Sequence, residues 1–156
     1  MRLVLMSLAA SLAVAAPAMA QSTAQDNGVR VDVHGGLGWH DGQAVQGAIG
    51  ATLGYDIKAG QNAFVGVEQS IDKQLTQADR IRWTSAARLG TYITPNNKAY
   101  ALAGYAFGEG PNGFVAGGGV EHTYHQYFTK VEYRHTFDTN NAQQSNAAVV
   151  GLGLRF

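Results

Sequence analysis

The chain has 156 residues, with 11 Lys and Arg against 11 Asp and Glu and a formal net charge of zero at pH 7. This balance excludes the strongly basic surface with which proteins attract nucleic acid. No cysteine is present, so disulfides, thiolate metal sites and a lipid anchor on cysteine are excluded as well. The low charge, together with many glycine, tyrosine and phenylalanine residues, favours a protein rich in β-strands.

The first twenty residues have the pattern of a secretory signal peptide. Arg2 provides the positive charge of the N-terminal region, and a mostly apolar stretch follows. Ala18 and Ala20 form a small-residue cleavage site before Gln21. A membrane anchor is disfavoured because the apolar stretch is shorter than the ~20 residues of a spanning helix. The predicted organisation is a cleaved signal peptide over 1–20, a short periplasmic segment over 21–28 and one domain over 29–156.

Alternation of apolar and polar side chains predicts eight β-strands in this domain. The predicted strands are 29–40, 47–57, 63–71, 81–93, 99–107, 114–124, 130–137 and 147–156. Tight turns alternate with longer polar links, which is typical of membrane β-barrels. The fifth strand is apolar on both faces, so either Tyr100 and Leu102 or Tyr105 and Phe107 face outward, and a bulge near Gly104 would expose parts of both.

The charged side chains of the predicted strands lie opposite the apolar face. They are predicted to form a network inside the barrel that consists of Arg30, Asp32, Glu68, Arg82, Arg88, Glu121, Lys130, Glu132, Arg134 and Arg155, with Asp56 on the same face. Buried charges must be paired because an isolated one is costly, so we expect a salt-bridged core rather than an open pore. Centring one hairpin on residues 72–79 places Glu68 nearly opposite Arg82.

Aromatic residues cluster near the strand ends, as in the interfacial girdles of membrane barrels. The predicted girdle consists of Trp39, Tyr55, Trp83, Phe114, Tyr124 and Phe137. Together with a charged interior, this pattern favours a transmembrane barrel over a soluble barrel of the lipocalin type, which would have an apolar interior for its ligand. The predicted fold is therefore an all-β, eight-stranded, antiparallel up-and-down barrel in a membrane.

Catalytic and metal sites are not expected. Glu121 and Glu132 form the one candidate carboxylate dyad, but Lys130 and Arg134 lie close enough to keep both ionised. Ser85 and His122 face outward as a lipid deacylase would require, yet no outward carboxylate would orient the imidazole. The five histidines do not have the spacing of a metal site, so no cofactor is expected.

The whole predicted mature chain resembles the small OmpA/OmpX-like and opacity-type outer-membrane β-barrels of Gram-negative bacteria, and the last forty or so residues carry the resemblance. The resemblance lies in residues 117–122, in residues 131–137 and in the last strand, where Val150, Leu152, Leu154 and Phe156 form an apolar row that ends on a terminal aromatic. It implies a monomer in the outer membrane, in contact with lipid and lipopolysaccharide. It also implies contacts with periplasmic chaperones and the barrel-insertion machinery during assembly, with Phe156 as the recognition residue.

The expected function is a structural or surface-interaction role for a barrel with a plugged, charge-paired lumen. The alternative is a narrow, porin-like conduit for small solutes, which requires the lumenal network to open. A surface adhesin is less favoured because the outer links are short, and a lipid-modifying enzyme is less favoured because no catalytic triad can be assembled on the outward face.

Overall fold

The computed structural model describes residues 27–40, 44–75, 80–109, 112–138 and 144–156. The predicted signal peptide, with Ala18, Ala20 and Gln21, and residues 21–26 of the predicted periplasmic segment lie outside the described residues. The described part of the chain has no apolar helix of the length needed to cross a membrane.

Eight antiparallel strands close into a barrel in chain order, which confirms the predicted fold. The strands are β1 (Gly28–His40), β2 (Gln46–Ala59), β3 (Ala63–Gln74), β4 (Ile81–Thr94), β5 (Asn97–Gly108), β6 (Gly113–Tyr124), β7 (Tyr127–Asp138) and β8 (Ser145–Arg155). Pairing of β8 with β1 closes the sheet. Closure leaves no row of unpaired backbone groups, which is the condition for a β-structure in lipid.

The barrel has two distinct ends. The turn end carries three short connections between strands, at residues 60–62, 95–96 and 125–126, together with Gly28 and Phe156. The loop end carries the other four connections, at residues 41–45, 75–80, 109–112 and 139–144. Short turns and longer loops therefore lie on opposite sides, as the alternation of link lengths predicts.

Side chains alternate between an apolar outer surface and a polar interior. In β1, Val31 and Val33 are exposed, whereas Arg30, Asp32 and His34 are buried. Successive residues of a strand point to opposite faces, so the alternation in the sequence becomes an inverted arrangement with its charges inside. The outer surface also has a charge that was not expected, because β3 continues beyond its predicted end and places Lys73 outward at the loop end.

The fifth strand adopts one of the two facings left open by its sequence. Tyr100 and Leu102 are buried in the lumen, and Tyr105 faces outward. Pairing is regular on both sides of Gly104, so the bulge considered there does not occur. The register shift of this hairpin lies between Tyr92 and Thr94 of β4 instead.

The predicted pairing of Glu68 with Arg82 is wrong. Glu68 lies opposite Ala86, and Arg82 lies opposite Asp72. The strands β3 and β4 pair to Lys73 and Ile81, so the centre of the hairpin lies further along the chain than the polar residues suggested. Glu68 and Arg82 consequently occupy different levels of the lumen.

The six aromatic residues of the predicted girdle all lie on the outer surface. Trp83, Phe114, Tyr124 and Phe137 are exposed, whereas Trp39 and Tyr55 are half-buried. At the loop end, the Trp39 ring lies 6.3 Å from that of Tyr133. Tyr55 is four residues from the end of β2 and thus lies deeper than the others.

Candidate functional site

The lumen contains a continuous set of ion pairs. Within the described residues, six basic side chains and six carboxylates are joined by direct contacts, with His34 bridging two of the carboxylates. The twelve charged residues are Arg30, Arg88, Lys98, Lys130, Arg134 and Arg155, with Asp32, Asp56, Glu68, Asp72, Glu121 and Glu132. An eight-stranded barrel leaves an interior just wide enough for side chains to fill, and here many of those side chains are charged.

Glu68 is the hub of this network. Its carboxylate forms an ion pair with Arg30 and lies 3.8 Å from Arg88 Nη1 and 3.7 Å from Arg134 Nη2. The three arginines come from β1, β4 and β7, so one acidic side chain on β3 links widely separated parts of the barrel. The Glu68 side chain is 2% exposed, so water does not replace these contacts.

The turn-end half of the network centres on Asp56 and Glu121. Asp56 lies 3.4 Å from Arg30 Nε and 2.5 Å from Arg155 Nη2. Glu121 lies 3.4 Å from Arg155 Nε and 3.3 Å from Arg88 Nη2. Arg155 therefore bridges two carboxylates on β2 and β6, and the last strand is tied across the lumen as well as to its neighbours.

The loop-end half contains Asp32, Asp72 and the histidine between them. Lys130 Nζ lies 2.9 Å from Asp32, and Arg134 Nη1 lies 3.5 Å from Asp72. The two ring nitrogens of His34 lie 3.0 Å from Asp32 and 2.7 Å from Asp72. These contacts join β1, β3 and β7.

Glu132 has different partners from Glu121, so the structure does not bring the two together as a catalytic dyad. Glu132 accepts hydrogen bonds from Arg134 Nε and, at 2.6 Å, from the Tyr100 hydroxyl. In the β6–β7 pairing, Glu121 lies opposite Lys130, whereas Glu132 lies opposite a glycine. Each carboxylate has its own cation, which is the arrangement of a structural network.

Glycines on the lumenal face allow these long side chains to meet. Gly54 of β2 pairs with Arg30 on one side and with Glu68 on the other. The Arg30 guanidinium crosses above Gly54 to reach Glu68, and a Cβ atom on Gly54 would lie 2.7 Å from Arg30 Nη2. We call such a triplet a glycine bridge. Two further glycine bridges are His34–Gly50–Asp72 and Tyr100–Gly119–Glu132.

Substituting alanine for Gly54 should destabilise the barrel by about 1–3 kcal/mol, the usual cost of overfilling a packed interior. The added methyl group would displace a guanidinium that is held by three carboxylates, Asp32, Asp56 and Glu68. Urea unfolding in detergent micelles measures the change. Gly35→Ala is the matched control, because its Cβ would have no neighbour closer than 3.8 Å and the variant should unfold like the wild type.

Aromatic rings fill the lumen at the turn end. Phe64 and Phe128 are 0% and 1% exposed. Lys98 Nζ lies 5.0 Å from the centre of the Phe64 ring, and Arg155 Cζ lies 6.0 Å from the centre of the Phe128 ring. These contacts are within the range of cation–π attraction. We refer to Phe64 and Phe128 as the aromatic floor.

The loop end of the lumen contains a small cavity of about 80 Å³. Asp72 and Arg134 contribute to its lining, together with Thr84, Val115 and Val149. Arg82, which was predicted to belong to the charge network, is half-buried and lines the same cavity. The two ends of the lumen thus differ, with aromatic rings at one and a small cavity at the other.

Several solved outer-membrane barrels are similar to this structure. The attachment invasion locus protein Ail of Yersinia pestis matches with a TM-score of 0.63 and 14% identity, over 86% of this chain and 100% of its own. Neisserial surface protein A matches with a TM-score of 0.56 and 12% identity, over 83% and 97%. The protein has the fold of small OmpA/OmpX-like outer-membrane barrels. No family model and no curated protein sequence matches the chain.

A de novo designed transmembrane β-barrel matches almost equally well. Its TM-score is 0.54 at 13% identity, over 86% of this chain and 100% of that one. Because a designed scaffold shares the architecture, the fold by itself does not assign a role. The role has to be argued from the lumen and the outer surface.

Three members of the network were not identified as such from the sequence. Lys98 was expected next to a turn and Asp72 in a loop, yet β5 and β3 extend to include them. His34 was placed on the lumenal face but not with a partner. For Asp72 the available signal is its position four residues after Glu68, because side chains an even number of residues apart on a strand share a face. For Lys98 the alternation predicts no facing, because both faces of the fifth strand are apolar.

The outward residues considered for catalysis have separate partners. Ser85 Oγ donates a hydrogen bond of 2.5 Å to Gln69, and His122 Nδ1 lies 2.8 Å from Asn97 Oδ1. Ser85 and His122 are on β4 and β6, which are not adjacent. Among the residues that the structure describes, no three His, Cys, Asp or Glu side chains form a metal-ligating group.

Proposed function

We propose that the protein is an integral outer-membrane protein of a Gram-negative envelope, with a non-conducting lumen and a structural or surface-interaction role. The observation that carries this proposal is the continuous ion-pair network, which occupies the middle of the lumen above the aromatic floor. A transport function would require a path through twelve interlinked charges. A structural function requires only that the barrel be stable and correctly inserted.

Membrane insertion is supported by the outer surface. Valine, leucine and isoleucine side chains are exposed on the strands, for example Val33 at 64%, Leu89 at 61% and Val150 at 61%. Exposed apolar surface on this scale is unfavourable in water and marks contact with a partner or a membrane. Exposed aromatic residues near both ends fit the two bilayer interfaces.

Single-channel recording in planar bilayers tests the closed lumen. The wild-type barrel should give no conductance steps, because the network and the aromatic floor fill the interior. Replacing both Phe64 and Phe128 by alanine should allow brief openings or a leak, whereas the outward Phe114→Ala should remain silent. Stable steps from the wild type would instead establish the alternative, a narrow conduit for small solutes.

The same proposal includes the partners of the barrel. The outward surface would contact outer-membrane lipid and lipopolysaccharide, as a monomer and without enzymatic activity. Phe156 would be recognised by the barrel-insertion machinery after delivery by periplasmic chaperones. In support, the Phe156 ring is 52% exposed, and its backbone N–H donates a 2.9 Å hydrogen bond to Val29, which fixes the terminus beside β1.

A further inference from the structure

His34 lies between two carboxylates inside the barrel. Nδ1 lies 3.0 Å from Asp32 Oδ1, and Nε2 lies 2.7 Å from Asp72 Oδ1. The His34 side chain is 1% exposed. Gly50 makes the second contact possible, because a Cβ atom at that position would lie 2.5 Å from Nε2. The imidazole is thus held at both nitrogens within a glycine bridge.

This geometry determines how many protons the ring carries. An ionised carboxylate accepts hydrogen bonds and cannot donate them, whereas a neutral imidazole has only one N–H. Both carboxylates also face a second cation, Lys130 at Asp32 and Arg134 at Asp72, which favours their ionised forms. To donate to both, the ring must be the doubly protonated imidazolium.

The surroundings of the ring are otherwise neutral or basic. From β1, β2 and β3 the polar neighbours are Asp32, the Thr52 hydroxyl at 3.4 Å from Nδ1, and Asp72. On β7, Lys130 and Arg134 contact the two carboxylates, and on β8 Gly151 lies opposite His34, where a Cβ atom would lie 3.2 Å from His34 Cβ. The two carboxylates are therefore what holds the second proton on His34.

We propose that His34, held between Asp32 and Asp72, is a proton-binding site that locks β1 to β3 inside the barrel and weakens this lock when the proton leaves. Loss of one ring proton removes one of the two donors. Asp32 then keeps Lys130 at 2.9 Å and Arg30 at 3.7 Å, and Asp72 keeps the Ser70 hydroxyl at 3.2 Å and Arg134 at 3.5 Å. Whichever nitrogen keeps its proton, the charge-assisted contact between His34 of β1 and Asp72 of β3 is lost, because a neutral ring offers at most a weaker, uncharged donor.

The site is reached from the loop end. The Asp72 side chain is 19% exposed and lines the loop-end cavity, while the aromatic floor fills the opposite end. Proton exchange therefore takes place through the cavity. In the proposed outer-membrane orientation, the cavity opens to the exterior, so the lock responds to external pH. Only this response to external pH rests on the proposed function.

Nitrogen NMR of the ¹⁵N-histidine-labelled barrel in micelles tests the proton site directly. At about pH 7, where an ordinary imidazole is largely neutral, His34 should show both ring nitrogens protonated. Asp72→Asn should leave a ring with one proton under the same conditions, whereas the outward His135→Gln should leave the His34 signals unchanged. A singly protonated His34 in the wild type would overturn the proposal, whether or not the barrel conducts.

A stability measurement provides the second readout. The midpoint temperature of the heat-dependent gel shift should fall by several degrees as pH rises from about 5 to about 8, the range in which imidazoles titrate. His34→Gln should have a lower midpoint that changes less with pH than that of the wild type, and His135→Gln should keep the wild-type dependence. An unchanged pH dependence in His34→Gln would exclude this site as its source.

Discussion

Substituting glutamine for Glu68 should destabilise the barrel by about 3–5 kcal/mol, the cost of removing one partner from a buried set of charges. The substitution preserves shape and removes only the negative charge. Arg30, Arg88 and Arg134 would then face each other across the lumen without the carboxylate that they share. Because the site is buried, solvent cannot screen their repulsion.

Urea titration of the barrel in lipid vesicles or micelles measures this effect. Glu109→Gln is the matched control, since Glu109 is an exposed carboxylate at the loop end that accepts a 3.0 Å hydrogen bond from the Ile81 amide. An amide oxygen can accept the same bond, so this variant should unfold close to the wild type. Equal stability of both variants would mean that Glu68 is not the hub that its contacts indicate.

Arginine in place of Val33 should cost about 2–4 kcal/mol, as expected for a charge on the lipid face near the bilayer midplane. Val33 lies near the middle of β1 and is 64% exposed on the apolar surface. A guanidinium there has neither water nor a carboxylate partner. Folding into vesicles, followed by the unboiled gel mobility, reports both the yield and the stability of the inserted barrel.

The effect of the arginine should depend on depth. Tyr124 ends β6 at the turn end and is 67% exposed, and the cost of arginine falls to about 0–1 kcal/mol near the interface. Tyr124→Arg should therefore insert nearly normally. If Val33→Arg inserted as well as Tyr124→Arg, the outer face would lie in water rather than in lipid.

The architecture could be predicted from the sequence because it depends on local alternation. In β1 and β8, successive residues alternate between apolar and polar or small, and each predicted facing is found in the structure. The lumenal positions of Arg30 and Glu132 follow from the alternation of facing along their strands alone. The facing of β5 does not follow from this alternation, because Tyr100 and Tyr105 are both apolar enough for lipid. What distinguishes Tyr100 is its lumenal contacts, a hydrogen bond to Glu132 and the Arg88 guanidinium over its ring.

Pairing within the lumen could not be predicted, because it depends on register and on contacts beyond adjacent strands. The register of the β3–β4 hairpin differs from the predicted register by a few residues, so Glu68 and Arg82 do not lie opposite each other. The true partners of Glu68 come from β1, β4 and β7 and are up to 66 residues away in the chain, as with Arg134. Local patterns do not contain that information.

The glycine bridges have a consequence for how the barrel assembles. In each of them, a charged or polar side chain passes over the adjacent strand and finds its partner on the strand beyond. The β1–β2 hairpin alone would therefore place the Arg30 guanidinium above Gly54 with no Glu68 to receive it. The hairpin would keep Asp32 and Asp56 beside Arg30 but would lack its contact with Glu68, so each glycine bridge is complete only when its third strand has paired. The lumenal ion pairs thus make assembly cooperative across three strands at a time.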